Sequence, residues 1–189
     1  FKSRSHLKLY LEQHKLLKGE WMPKISPTYR IHFRRRREGK TNYRKRLKLL
    51  LSGKPRIVYR KTLKYIIGQI IEFDKKGDRT LVGINSKILK KYGWKFACDN
   101  TPASYLTGYL LGKLALKKGI KEAVLDIGLY TSTKGARMYA FAKGAIDAGL
   151  QIPCNEEMFP SEERIKGLHI NEEVAKNFEE VKLNIDKVS

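Results

Sequence analysis

Two periodicities organise the apolar positions of this chain. Between residues 42 and 52, Tyr43, Leu47, Leu50 and Leu51 recur at i, i+4, i+7 and i+8. That spacing predicts a helix with one apolar stripe. Arg44, Lys45, Arg46 and Lys48 cover the rest of its surface. Thr41 is the expected N-cap and Gly53 the expected C′ residue, and Pro55 bars continuation. Strand patterning then takes over. RIVYR (56–60) and KYIIGQIIEF (64–73) are rich in β-branched and aromatic residues. KKGD (75–78) reads as a turn, and RTLVGIN (79–85) as a returning strand. Together they predict an antiparallel meander. Ser86 is expected to cap a short helix that runs to about Tyr92 and ends at Gly93.

The second half is helical again. Asn100 or Thr101 is expected to cap a long helix to about Lys118, with Pro102 in its first turn. Ala103, Leu106, Leu110 and Leu114 give it a broad apolar face, and Gly108 and Gly112 suit close packing on a sheet. EAVLDIG (122–128) reads as a buried strand interrupted by Asp126. The loop TSTKG (131–135) leads to a helix over about 136–148. A helix before this strand and another after it imply a crossover, so part of the sheet is parallel. The fold class is therefore α/β: a mixed sheet made of an N-terminal antiparallel meander plus a crossover strand.

The flanks differ from this core, 55–152. In residues 1–21, Leu7, Leu11 and Leu16 suggest a short helix ended by Gly19. Residues 22–54 form a basic arm and the first helix; the run Arg34-Arg35-Arg36-Arg37 is expected to be extended and mobile without a partner, because adjacent guanidiniums repel. Residues 153–189 carry Pro153, Pro160, many glutamates and a helical stretch from about Asn171, and read as an acidic C-terminal tail appended to the core.

Charge sharpens this division. The chain has 189 residues, 40 Lys+Arg and 19 Asp+Glu, a net charge of +21. Residues 1–64 hold 21 basic and 3 acidic residues, and residues 147–189 hold 5 and 10. A solubilising coat would not reverse sign along the chain, so a polyanionic partner is implied. No stretch approaches the roughly 18 apolar residues of a membrane span. The terminus FKSRSHLKLY lacks an apolar signal core, so a secretory route is not expected. Cys98 and Cys154 lack C-x-x-C spacing and read as reduced thiols in a cytoplasmic protein.

Catalytic signals are weak. Gly39-Lys40-Thr41 resembles the end of a phosphate-binding loop, but Arg34 stands where the leading glycine is needed. His6, His14, His32 and His169 have no partner at metal-ligand spacing. Asp126 lies at a strand end, where some nucleases hold metal, but Asp74, Asp78 and Asp147 complete no tight motif. A structural carboxylate is the favoured reading of Asp126. Ser104 and Tyr105 have no adjacent orienting base. The arm carries more: Tyr29, Arg30, His32 and Phe33 precede the four arginines, and Tyr43 and Arg44 follow. Guanidiniums fork onto phosphates and aromatics stack on unpaired bases. The reading is an RNA-binding protein without enzymatic activity or cofactor. The alternatives are an RNA-binding module of RNA processing and a metal-dependent nuclease using Asp126.

TYRIHFRRRREGKTNYRKRLKLLLSGKPRIVYRK, NTPASYLTGYLLG (100–112) and AVLDIGLYTSTKGARMYAFAKGAIDAGLQIP (123–153) resemble three ordered blocks of the large-subunit ribosomal protein of universal family eighteen, in its archaeal form. The similarity runs from about Met22 to about Ile170. It implies an α/β sandwich that binds 5S ribosomal RNA and anchors it at the central protuberance of the large subunit in the cytoplasm. It also implies large-subunit rRNA and the other 5S-associated protein as neighbours. Carried onto this chain, the implied RNA contacts are Tyr29, Arg30, Phe33, Arg34, Arg35, Arg36, Arg37, Lys40, Thr41, Tyr43, Arg44, Lys45 and Arg46. Lys54, Arg56, Arg60 and Lys61 continue the set, and Thr131, Lys134 and Arg137 form a weaker one. Residues 1–21 instead resemble the C-terminal end of the nineteen-e large-subunit family. Two readings stay open: a start-site artefact with Met22 as the true start, which the resemblance favours, or a genuine basic extension.

Overall fold

The computed structural model describes residues 30–188. The expectations for the Leu7–Leu11–Leu16 helix, for residues 1–21 and for Tyr29 lie outside the described residues. Chain order is α1 (Arg34–Arg37), α2 (Tyr43–Leu50), β1 (Arg56–Lys61), β2 (Ile66–Glu72), β3 (Arg79–Asn85), a 3₁₀ helix (Ser86–Tyr92), α3 (Thr101–Lys117), β4 (Val124–Asp126), α4 (Arg137–Asp147), a 3₁₀ turn (Glu156–Met158), α5 (Glu162–Lys166) and α6 (Glu172–Val188). No helix among the described residues is long and apolar enough to cross a membrane.

The expected meander forms. β1 pairs antiparallel with β2, Tyr59 opposite Gly68, and β2 with β3, Gly68 opposite Ile84. The crossover through α3 brings β4 parallel to the other edge of β1, Ile57 opposite Leu125. The order is β3-β2-β1-β4, a mixed sheet. Alternation along β2 separates its faces: Ile66, Gly68 and Ile70 are buried, while Ile67, Gln69 and Ile71 are half-buried on the other side. Helices cover the first face. The Phe141 ring of α4 lies 5.4 Å from the Tyr59 ring, and Phe141 and Leu111 of α3 crowd the space above Gly68.

α3 is buried on nearly every side, which explains its apolar composition all round. Its cap is Asn100, whose side chain accepts from the Ala103 amide at 2.9 Å. Gly108 and Gly112 approach α4 rather than the sheet. A Cβ at Gly108 would strike the Phe141 carbonyl, and one at Gly112 would come 2.7 Å from the Ala148 Cβ. Gly144 returns the fit, meeting the Tyr105 carbonyl. A small-residue stripe lets two backbones meet; a pleated sheet presents side chains and leaves less to gain from one. The short helix after β3 also differs. It is 3₁₀, capped by Asn85, which accepts from the Lys87 amide at 3.0 Å. The Ser86 hydroxyl instead accepts from the Ile66 amide, fixing the start of β2.

The acidic segment is not an appendage. Val174, Phe178, Val181 and Ile185 of α6 recur at helical spacing and are all buried in the central core. Phe178 packs on Tyr105, ring centroids 5.4 Å apart. Asn177 and Asn184 donate to the Gly93 and Tyr92 carbonyls, tying α6 to the end of the 3₁₀ helix. Tyr109 donates to Asp186 at 2.6 Å, and Lys113 lies 3.1 Å from the same oxygen. Burial works to raise the Asp186 carboxyl, but the Tyr109 and Lys113 bonds outweigh it and hold it below its ordinary value. Burial first, then the bond to Asp147, pushes the Tyr105 hydroxyl up, so it remains a donor. The glutamates therefore mark the outside of a core helix.

Two substitutions check this architecture. Gly108→Ala gains about 1 kcal/mol of helix propensity but forces a Cβ onto a main-chain carbonyl. It is expected to destabilise by about 2 kcal/mol or more in urea unfolding. Phe178→Ala is expected to cost about 3–5 kcal/mol and to lower the midpoint of the whole cooperative transition. A separate early transition confined to the last helix would contradict the integration of α6.

Candidate nucleic-acid interface

Among the described residues, no helix layer comparable to α3 and α4 packs on the second face of the sheet. α2 spans it at one side, because a short link over Leu51–Pro55 returns the chain directly into β1. The helix starts at Asn42, whose side chain accepts from the Lys45 amide at 3.1 Å. Thr41, the expected cap, instead accepts from Arg35 Nε at 2.9 Å. α1 is a real helical turn, not the extended segment expected. Its backbone bonds, Glu38 amide to Arg34 carbonyl and Lys40 amide to Arg35 carbonyl, close locally. Glu38 sits between Arg34 and Lys40, at 3.7 and 2.8 Å, and relieves part of the repulsion.

The apolar stripe of α2 does not pack on the sheet. Leu47 is 60% and Leu51 79% exposed, while Asn42, Arg46 and Leu49 line the space over the sheet. That space is a groove of about 560 Å³, floored by Val58, Gln69 and Ile71 and closed at one side by Leu125 to Leu129. Lys45, Lys48, Arg35 and Lys40 lie along it. Outside the groove, Phe33 and Tyr43 stand 5.6 Å apart, and Phe33 is 75% exposed.

Ion pairs hold α2 in place. Arg46 Nη2 donates to both oxygens of Asp78, at 2.8 and 2.9 Å. Arg56 donates to Asp78 Oδ2 at 2.6 Å through Nη2 and to Asp126 Oδ2 at 2.8 Å through Nη1. Arg60 reaches Asp126 Oδ1 at 3.4 Å and its carbonyl at 3.1 Å. Gly128, at φ +61°, donates its amide to Asp126 Oδ1. A Cβ there would lie 2.9 Å from the Arg60 guanidinium carbon, so a larger residue at this left-handed position would displace that arginine. The result is an alternating ladder, Arg46–Asp78–Arg56–Asp126–Arg60, across four elements of the chain.

The ladder bears on several readings of the sequence. Arg56 was expected among the RNA contacts. It is 4% exposed with carboxylates at both ends, so it works inside the protein. Asp126, the nuclease candidate, spends both oxygens on arginines and an amide. Among the described residues, no group of three or more His, Cys, Asp or Glu is placed to hold a metal. Gly39, at φ +64°, turns the chain between two helices, and no strand leads into it as a phosphate-binding loop requires. Arg137 donates to the Asp99 carbonyl at 2.6 Å, and Lys134 pairs with Glu157 at 3.2 Å. Lys54 pairs with Glu122, and the Lys61 amide donates to the Tyr130 hydroxyl.

The remaining predicted residues are exposed, and of them Lys45 lines the groove. Arg30, Arg36, Arg37, Arg44 and Lys45 are exposed and have no carboxylate partner among the described residues. Thr131 is exposed on the loop after β4. Lys48 and Gln69 were not singled out in the sequence, yet both line the groove. Gln69 carried a signal: it is the one polar position within the apolar run of β2.

Stability should separate the two kinds of arginine. Arg56→Gln leaves Asp126 and Asp78 short of a partner and is expected to cost about 3 kcal/mol or more. Arg44→Gln, on the exposed side of α2, is expected to change stability by under about 0.5 kcal/mol. Chemical denaturation of both variants checks this.

The fold and the site can now be set beside known proteins. A family model described as ribosomal large subunit proteins 60S L5 and 50S L18 matches residues 27–122 and 117–155. The match takes in the arm, the whole sheet and the α3–α4 pair, which is more than half of the chain; residues 1–26 and 156–189 lie outside it. By that match the chain belongs to the family of large-subunit ribosomal proteins 60S L5 and 50S L18.

Proposed function

We propose that this large-subunit ribosomal protein binds 5S rRNA through its arm and α2 and anchors it to the subunit at the central protuberance. The observation that carries this reading is that Arg35, Lys45 and Lys48, which have no carboxylate partner among the described residues, line a groove beside the sheet. Arg34 to Arg37, Arg44, Lys45 and Lys48 neutralise phosphates. Binding releases the counterions condensed on them, which is the entropic source of affinity. Phe33 and Tyr43 offer faces for unpaired bases, and their polar surroundings keep them from collapsing into the core. Large-subunit rRNA and the other 5S-associated protein are the neighbours of the assembled particle. The acidic outer face of α6 repels phosphate and turns toward protein.

The test is a salt series of 5S rRNA binding. With about 8 phosphate contacts, log K against log[salt] slopes at roughly −6 to −7. Replacing Arg34, Arg35, Arg36 and Arg37 by Gln is expected to reduce that slope by about 3 and the affinity by at least about a hundredfold at moderate salt. Unchanged affinity and slope would remove the arm from the interface. Equal affinity for an unrelated RNA of the same length would defeat the 5S assignment.

A further inference from the structure

Asp78 is out of place on a phosphate-binding surface. It sits at the turn between β2 and β3 and lines the same groove as Lys45, Lys48 and Arg60. A carboxylate there opposes a polyanion, so electrostatics alone argues for its absence. Its contacts supply the reason for its presence. Asp78 accepts from Arg46 of α2 at 2.8 Å and from Arg56 of β1 at 2.6 Å. Arg56 is fixed in turn by Asp126 of β4. Few other contacts join α2 to the sheet: its leucines are exposed or half-buried, and none of its residues is fully buried. A helix with little apolar packing depends on whatever directional bonds reach it. One guanidinium nitrogen shared between both oxygens of a carboxylate that is itself anchored sets the distance and direction of the helix.

We propose that Asp78 is a positioning residue that clasps α2 over the sheet and presents Arg44, Lys45 and Lys48 at a fixed orientation to RNA. This rests on the RNA-binding reading of the arm and α2. The clasp also explains the groove, because ion pairs at one side hold the helix off the sheet where leucine packing would have closed the space. Holding the helix before RNA arrives removes an ordering cost from the binding step.

The consequence has an unusual sign. Asp78→Asn raises the net charge by one and removes a negative group from the interface. A purely electrostatic role predicts tighter RNA binding and a steeper salt slope. The clasp predicts weaker 5S rRNA binding, by about tenfold, with faster amide hydrogen exchange across residues 44–51 in the RNA-free protein and little change in β1 and α3. Asp78→Glu keeps both acceptor oxygens and is expected to restore most of the affinity and the protection. Arg46→Lys is the second variant. It conserves the charge and leaves the Asp78–Arg56 pair intact, but its Nζ ends one bond short of where Nη2 sits and lacks the planar guanidinium. It is expected to weaken binding and speed α2 exchange in the same direction, so the test stands even if Asp78→Asn does not fold. If the wild type retains 5S rRNA and both Asp78→Asn and Arg46→Lys bind it as tightly, or if α2 protection is unchanged, the positioning role is overturned. If the wild type itself does not retain 5S rRNA, the RNA reading falls and the positioning role with it.

Discussion

Arg56 is a charge taken almost wholly out of water. A buried guanidinium is tolerated only where carboxylates meet it with good geometry. Here the two that do, Asp126 and Asp78, come from β4 and from the turn before β3. Meeting its two terminal nitrogens therefore fixes the crossover strand against β1, sets the end of the β2–β3 hairpin, and through Arg46 seats α2. Each neighbour in the ladder is placed by the last. Most of the site geometry descends from this one electrostatic requirement, which hydrophobic burial alone would not impose.

The remainder of the fold frees that face of the sheet. α3 and α4 approach each other backbone to backbone at Gly108, Gly112 and Gly144, and together they cover the opposite face. α6 closes the core against α3 and the 3₁₀ corner. The apolar demand of the chain is thus met on one side. The other side is left as a groove of mixed polar and apolar lining, with a floor of Val58, Gln69 and Ile71 under a cationic helix. A surface built this way suits a partner that brings its own charge and its own shape, as a folded RNA does.

Much of this was legible beforehand. The meander, the crossover and the helices around 43–50, 101–117 and 137–147 follow from periodicity, β-branched content and helix-ending glycines, all local properties. Caps were harder. Asn42 and Asn85 won over Thr41 and Ser86 because the neighbouring hydroxyls had other partners, Arg35 and the Ile66 amide. The turn at Arg34–Arg37 formed because Glu38 and local backbone bonds offset a repulsion that a charge count overstates.

The sequence by itself determined the class of the fold, the sign of the partner and the location of the basic arm. Those depend on spacing and composition, which are read one segment at a time. The tertiary structure alone decided which arginines are exposed and which are built into the protein, that Leu47 and Leu51 face outward, and that the acidic helix is core. These outcomes turn on long-range pairs: Arg56 meets Asp126 across 70 residues, Arg46 meets Asp78 across 32, and Tyr109 meets Asp186 across 77. A guanidinium reads alike in sequence whether it faces solvent or a buried carboxylate. Only the chain's return to the same place tells the two apart.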